Sequence, residues 1–154
     1  MTKVVKFGGS SLASAEQFKK VKEIITAESS RRFVVPSAPG KRFSNDTKVT
    51  DMLYGCYDLA AKGKDFSSEF DAIKERYYGI INDLGLDLSL DKEFETIKAC
   101  FIGKAGRDYA ASRGEYLNGI VPVSYTHLTL PMLSILTIRV SLILQEQTRC
   151  FLRD

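Results

Sequence analysis

The sequence predicts an α/β fold built on a parallel sheet. Three observations carry that prediction. A short apolar run ends in paired glycines, Val4-Val5-Lys6-Phe7-Gly8-Gly9; an amphipathic stretch follows at once; and a second apolar run, Phe33-Val34-Val35, is closed by Pro36-Ser37-Ala38-Pro39-Gly40. Strand, helix and strand in such quick succession make a βαβ unit, whose strands should be parallel and whose crossover should be right-handed.

The elements can be justified in order. Val4, Val5 and Phe7 form an apolar run stopped by glycine, so a short buried strand is expected at Lys3 to Phe7. Ser14 and Gln17 have the spacing of a capping box, and Phe18, Val21, Ile24 and Ile25 then recur on one helical face. The second strand is ended by its proline and glycine breakers. After a polar loop, KRFSND, Thr50 is placed to cap a helix carrying Met52, Leu53, Cys56, Leu59 and Ala60. A further helix is expected over residues 66–84, where Phe70, Ile73, Tyr77, Ile80, Ile81 and Leu84 share a face, and another over 90–101. A last one should contain residues 107–117. No internal repeat or low-complexity tract interrupts this order.

Bulk properties narrow the function classes. A chain of 154 residues allows one domain with a real core. Its 22 basic and 19 acidic side chains give a net charge of +3, a mixed surface rather than a polycationic footprint for nucleic acid. Small anionic ligands fit that balance. Cys56, Cys100 and Cys150 lack metal-ligand spacing and are expected to pack as small hydrophobes in a reducing, cytoplasmic setting. The first residues show no apolar run behind basic ones, so no secretory signal is read there. From Ile120 onward the only charged side chains are Arg139, Glu146, Arg149, Arg153 and Asp154. Residues 128–144, LTLPMLSILTIRVSLIL, are apolar and β-branched yet broken by Pro, Ser, Thr and Arg, short of the roughly 20 apolar residues of a membrane span.

The chemistry concentrates where the first strand ends. Ligands of parallel α/β sheets bind at the carboxyl ends of strands, where loops and helix amino termini gather. Gly8 and Gly9, without Cβ atoms, let a ligand approach the peptide plane, and successive N–H groups there can form a nest for oxyanions. Lys6 adds a mobile cation, and Ser10 and Ser11 add hydroxyl donors. That set suits phosphate. The lysine precedes the glycines, so this is neither the P-loop nor the dinucleotide fingerprint. A tight turn with a solvated lysine is the plainer reading of the same residues. The second loop, Ser37 to Gly40, should lie on the same edge of a parallel sheet and face the same crevice; its plainer reading is a proline turn.

Three stretches in order, KFGGSS, VVPSAPGKRFSNDTKVTDML and SRGEYLNG, resemble the amino-terminal part of aspartate kinases in the amino-acid kinase superfamily. The resemblance covers about residues 1–119. It implies a partial three-layer α/β/α amino-acid kinase fold with a mainly parallel sheet, incomplete at its C-terminal side. The implied reaction is ATP-dependent phosphorylation of the L-aspartate side-chain carboxylate to 4-phospho-L-aspartate, the first step of lysine, threonine and methionine biosynthesis. The implied cofactors are ATP and Mg2+ held mainly by the nucleotide phosphates. Position by position, the resemblance makes Lys6 the catalytic lysine on the ATP phosphates, with Gly8, Gly9 and Ser10 enclosing them and Ser37 close to both phosphate and aspartate. Thr50 would contact aspartate; the loop KRFSND is extra to the family pattern, which leaves Thr47 as the other alignment. Glu115 would hold the substrate ammonium. Partners are then the small molecules ATP and L-aspartate, with no nucleic acid and no membrane, and full-length members are expected to be homo-oligomers in the cytoplasm.

The sequence departs from the family after Gly119. Later strands, an aspartate site, an adenine-binding segment and regulatory domains would follow there. Instead, VSYTHLTLP from Val123 to Pro131 resembles the translation of a transposase-end sequencing adapter. Residues 1–119 are therefore expected to be the N-terminal part of a catalytic domain, inactive as an isolated fragment, and 120–154 a non-homologous tail in which His127 has no role. A non-catalytic nucleotide-binding fragment, or another member such as glutamate 5-kinase, is the alternative.

Overall fold

The structure, a computed structural model, describes residues 1–103 and 106–127; for residues 108, 111, 115, 119 and 122–127 the description is of the backbone alone. Strand β1 is Lys3–Phe7, and a 3-10 turn, Gly9–Leu12, leads into helix α1, Ala15–Thr26. Strand β2, Arg31–Pro36, lies parallel to β1, with Val5 opposite Val34, Lys6 opposite Val35 and Phe7 opposite Pro36. The expected βαβ unit is present. Helices α2 (Val49–Ala61), α3 (Ser67–Asp83), α4 (Asp91–Ile102) and α5 (Arg107–His127) complete the described elements.

The side-chain period of two decides which residues of β1 reach the core. Phe7 is buried and Val5 packs against the core, as does Val34 opposite it, whereas Val4 is 60% exposed and Lys6 is exposed. The expectation of a strand buried throughout is corrected on that point: Val4 shares the face of Lys6, which the described helices do not cover. Ile24 likewise falls outside the stripe expected for α1. Phe18, Val21 and Ile25 are buried and Ile24 is 46% exposed, because the buried arc of that helix is narrow.

Two cap expectations also change. Ser14 is at the N-cap of α1 with extended backbone, φ −152° and ψ 165°, but its side chain makes no capping bond; its carbonyl accepts the N–H of Phe18 at 3.1 Å. Helix α2 starts at Val49 with Lys48 at the N-cap, so Thr50 lies inside the first turn instead of capping it. The cause is tertiary. The N–H of Val49, one of the donors that a helix start leaves open, is given to the carbonyl of Pro39 at 3.1 Å, and the second loop thereby fixes where the helix begins.

The core lies chiefly among the helices. Phe66, Phe70, Phe94 and Phe101 meet edge to face, with ring centroids 5.8 to 6.4 Å apart along the chain of contacts, and Tyr77 and Tyr109 extend the cluster. Cys56 is packed in this core as expected, and its burial pushes the thiol pKa up to about 12; Cys100 is a free thiol at its margin, and Cys150 lies outside the described residues. Helix α5 presents Ala110, Arg113, Gly114, Leu117, Asn118 and Val121 inward at helical spacing, and it continues through Gly119 to His127. Val121, two residues beyond the boundary expected at Gly119, is fully buried.

Candidate functional site

The two small-residue loops interlock through their backbones. The N–H of Gly40 donates to the carbonyl of Gly9 at 2.8 Å, and the N–H of Ser37 donates to the carbonyl of Phe7 at 3.0 Å. A Cβ on Gly9 would sit 2.7 Å from the carbonyl oxygen of Ala38, and one on Gly40 would sit 2.6 Å from the carbonyl carbon of Gly9. Neither position has room for a side chain. A Cβ on Gly8, by contrast, would meet nothing within 4 Å, so this peptide faces open space. The 3-10 turn begins there, with Gly8 at its N-cap and the N–H of Ser11 donating to the Gly8 carbonyl at 3.0 Å. The juxtaposition expected from a parallel sheet is thus realised at atomic contact.

Around this contact the predicted residues take different positions. Lys6 is exposed on β1 and makes no ion pair with the described residues; Ser10 is exposed and Ser11 half-buried in the turn. Ser37 is half-buried, and its carbonyl accepts the Asn118 side-chain amide of α5 at 2.6 Å. Gly114 lets α5 come this close, since a Cβ there would lie 2.7 Å from that of Ala38. Tyr77 of α3 donates its hydroxyl to the Gly114 carbonyl at 2.8 Å, which fixes α5 from the other side. Thr50 is half-buried at the start of α2, and Thr47 is exposed in the loop before it. Glu115 occupies the same turn of α5 as Gly114, with its side chain outside the described residues.

Sequence reasoning passed over a cationic clamp beside these loops. Arg76 lies on the apolar face of α3, 6% exposed, and donates to the carbonyls of Thr47, at 2.8 Å, and Gly40. Its guanidinium also stands 3.0 Å from Asp46, whose carboxylate receives the backbone N–H of Arg42 at 2.9 Å and that side chain's fork at 2.8 and 2.9 Å. A signal was available: Arg76 falls three residues after Ile73 and four before Ile80, a charge inside an apolar stripe. Burial pulls the Arg76 pKa down from its usual value, an effect that Asp46 opposes. Hydrogen bonds from Arg42, and then the charge of Arg76, hold the Asp46 carboxyl well below the usual carboxylate range.

That depression has a pH consequence. A carboxylate lowered on folding contributes stability above its unfolded pKa, about 3.9, and loses it as the pH falls through that value toward the folded one. Acid titration of the wild-type chain, followed by amide exchange in the 40–48 loop, is expected to show the loop loosening below about pH 4. Asp46→Asn should already be loose at pH 7 and change little between the two. A loop equally protected in both proteins at every pH would contradict this.

Two further features arise elsewhere. A cavity of about 160 Å³ opens between α4 and α5, bordered by Lys92, Glu93, Thr96 and Tyr116, and it shares no lining residue with the two loops. Arg113, buried on α5, stacks its guanidinium 4.3 Å from the Tyr109 ring and 5.3 Å from the Tyr116 ring, and also borders this cavity. No group of three or more metal-ligating side chains and no membrane-crossing helix occurs among the described residues.

A parallel βαβ unit with small-residue loops meeting at the carboxyl ends of its strands defines an α/β protein, the class whose ligands bind at that edge of the sheet. The chain belongs to the amino acid kinase family, whose sequence profile matches residues 1–121. Within it the likeness is to aspartokinases. Aspartokinase 3 of Bacillus subtilis (strain 168) is 48% identical over 88 residues, 57% of this chain and 19% of that protein. The crystal structure of Clostridium acetobutylicum aspartate kinase superposes with a TM-score of 0.78 at 46% identity, over 80% of this chain and 29% of that one. E. coli aspartokinase III in complex with aspartate and ADP shares the fold, with a TM-score of 0.65 at 22% identity over 82% of this chain. The described residues therefore form a partial α/β amino-acid kinase fold, and the matched region is an aspartokinase segment. The chain spans about a fifth of the length of the curated relatives it matches.

Proposed function

We propose that residues 1–119 supply the ATP- and aspartate-binding front of an aspartate kinase catalytic domain, one that transfers the terminal phosphoryl group of ATP to the side-chain carboxylate of L-aspartate. The observation that carries this reading is the interlock of Gly9 with Gly40, which sets Lys6, Ser10 and Ser37 around one edge of the sheet. Phosphoryl transfer between ATP and a carboxylate gathers anionic oxygens, and catalysis is then positioning and charge neutralisation. Lys6 would neutralise the transferring phosphate, the Gly8–Ser10 backbone would enclose the nucleotide phosphates, and Ser37 would bridge toward the substrate. Thr50 would contact aspartate, with Thr47 the alternative, and Glu115 would pair with its ammonium, which selects a free amino acid because an unpaired ammonium is costly in a partly dry site.

Lysine, hydroxyls and peptide groups around the crevice suit phosphate oxygens, so Mg2+ would ride on the nucleotide and neutralise its charge there. The same reading makes residues 120–154 a non-homologous tail, the isolated chain inactive, and the full-length enzyme a cytoplasmic homo-oligomer.

The test is trapping of the acyl phosphate with hydroxylamine in the presence of ATP, Mg2+ and aspartate. No turnover is expected from this chain. Grafting the carboxyl-terminal part of an aspartate kinase after Gly119 should restore it, and Lys6→Ala in that graft should lower kcat about 10²–10³-fold, the usual loss for one donor at a developing anion. A folded graft without turnover, or one indifferent to Lys6→Ala, would overturn the reading. Preference for glutamate over aspartate would move it to another acid kinase.

A further inference from the structure

The geometry points to Arg76, with Asp46, as a positioning pair that shapes the proposed ligand edge by holding against α3 both ends of the 40–48 segment, which continues the second loop. The functional consequence rests on the reading above; the structural part does not. Arg76 reaches the loop where it leaves the sheet, through the Gly40 carbonyl, and where it approaches α2, through the Thr47 carbonyl at 2.8 Å. Asp46, its side chain 8% exposed, ties Arg76 at 3.0 Å to the backbone and side chain of Arg42. Three positions of one loop are thereby gathered on one guanidinium, and a fourth, Arg42, is joined to it through Asp46.

Burial of that guanidinium argues for position rather than stability. A buried ion pair roughly offsets its own desolvation, and replacing the whole pair by apolar side chains of similar volume often serves the fold equally well, whereas removing one partner leaves the other buried without it. The Arg76 Nε, moreover, has no hydrogen-bond partner in the structure, so desolvating this residue is not fully compensated. What the planar fork supplies, and neither lysine nor methionine can, is two donors at a fixed separation for two carbonyls. Gly40 is the residue so held, and it is also the one in backbone contact with Gly9 and Ser10. A shift of the Gly40 peptide moves the wall of the proposed phosphate site directly. Thr47, the other residue held, leads into the first turn of α2, which carries Thr50.

The experiment compares Arg76→Met, Arg76→Lys and Asp46→Asn with the wild-type chain by thermal unfolding and by amide exchange at Gly40 and Val49, and compares the same substitutions by ATP binding in the graft that carries an aspartate kinase carboxyl-terminal part after Gly119. Arg76→Met is expected to lower the unfolding temperature, because Asp46 and two carbonyls lose a partner, while exchange at those two amides rises about tenfold or more beyond any change in the rest of the chain and the Kd of the graft for ATP weakens about tenfold. Arg76→Lys should recover only part of either effect, and β1–β2 ladder amides should be unaffected. If Arg76→Met does not fold, Asp46→Asn decides by the same readings. Unchanged exchange and unchanged ATP affinity in folded variants would overturn the positioning role. A folded graft, without these substitutions, that binds no ATP would instead count against the nucleotide reading, and the exchange data on the chain itself would still decide the clamp.

Discussion

Gly40→Ala is expected to push the two loops apart and to destabilise the fold. Its Cβ would fall 2.6 Å from the carbonyl carbon of Gly9, 2.7 Å from the Ser10 nitrogen and 2.9 Å from the Gly9 oxygen. All three are backbone atoms, which cannot rotate away as a side chain does. Relief requires breaking the 2.8 Å hydrogen bond from Gly40 to Gly9, at a cost of about 1–3 kcal/mol for overpacking a tight contact. Gly8→Ala is the matched control: its Cβ meets nothing within 4 Å and its φ of −75° is ordinary for any residue. Urea denaturation should separate the two variants, Gly8→Ala staying within about 0.5 kcal/mol of wild type. Equal losses in both would mean that the loops do not meet as described.

The largest loss of stability is expected from Phe70→Ala. Phe70 is 1% exposed and touches three other rings, those of Phe66, Phe94 and Phe101, at centroid distances of 6.1, 5.8 and 6.4 Å. Removing a buried phenyl costs about 3–5 kcal/mol, the transfer free energy plus the cavity left behind. A domain of this kind is stable by only about 5–15 kcal/mol, so the variant should lose a large share of its stability. Ile102→Ala, at a site 66% exposed on α4, should change stability by no more than about 0.5 kcal/mol. A Phe70→Ala protein as stable as that control would show that the aromatic cluster is not the core.

Much of the framework was legible because local pattern and tertiary burial agree. The apolar run ended by glycines gave β1 its observed span, and the stripe over 66–84 gave α3 within a residue at each end. The meeting of the two loops followed from parallel strands alone. Other features were set by contacts distant in sequence, which periodicity does not encode. The start of α2 depends on the Pro39 carbonyl, and the exposure of Val4 depends on which face of the sheet the helices cover. The clamp was partly legible, since Arg76 interrupts an apolar face, but its partners lie 29 and 36 residues away and nothing local names them. Asn118 is similar: a polar residue in the inward stripe of α5 whose acceptor, the Ser37 carbonyl, is 81 residues earlier. The catalytic role of Lys6 and the roles of Thr50 and Glu115 came from family likeness, and the geometry alone does not distinguish Thr50 from Thr47.

The stitching of the second loop at its two ends has a consequence for how such chains can diverge and be engineered. Gly40 is tied to Gly9 and Val49 to Pro39, so the crossing point is fixed whatever happens at the apex, where Phe43, Ser44 and Asn45 are exposed. Lengthening a flexible apex adds only a slowly growing closure entropy, about 0.6 kcal/mol per doubling. That tip is therefore where insertions and deletions can accumulate between cousins, and where a fluorophore or affinity tag could be spliced in without disturbing the edge below.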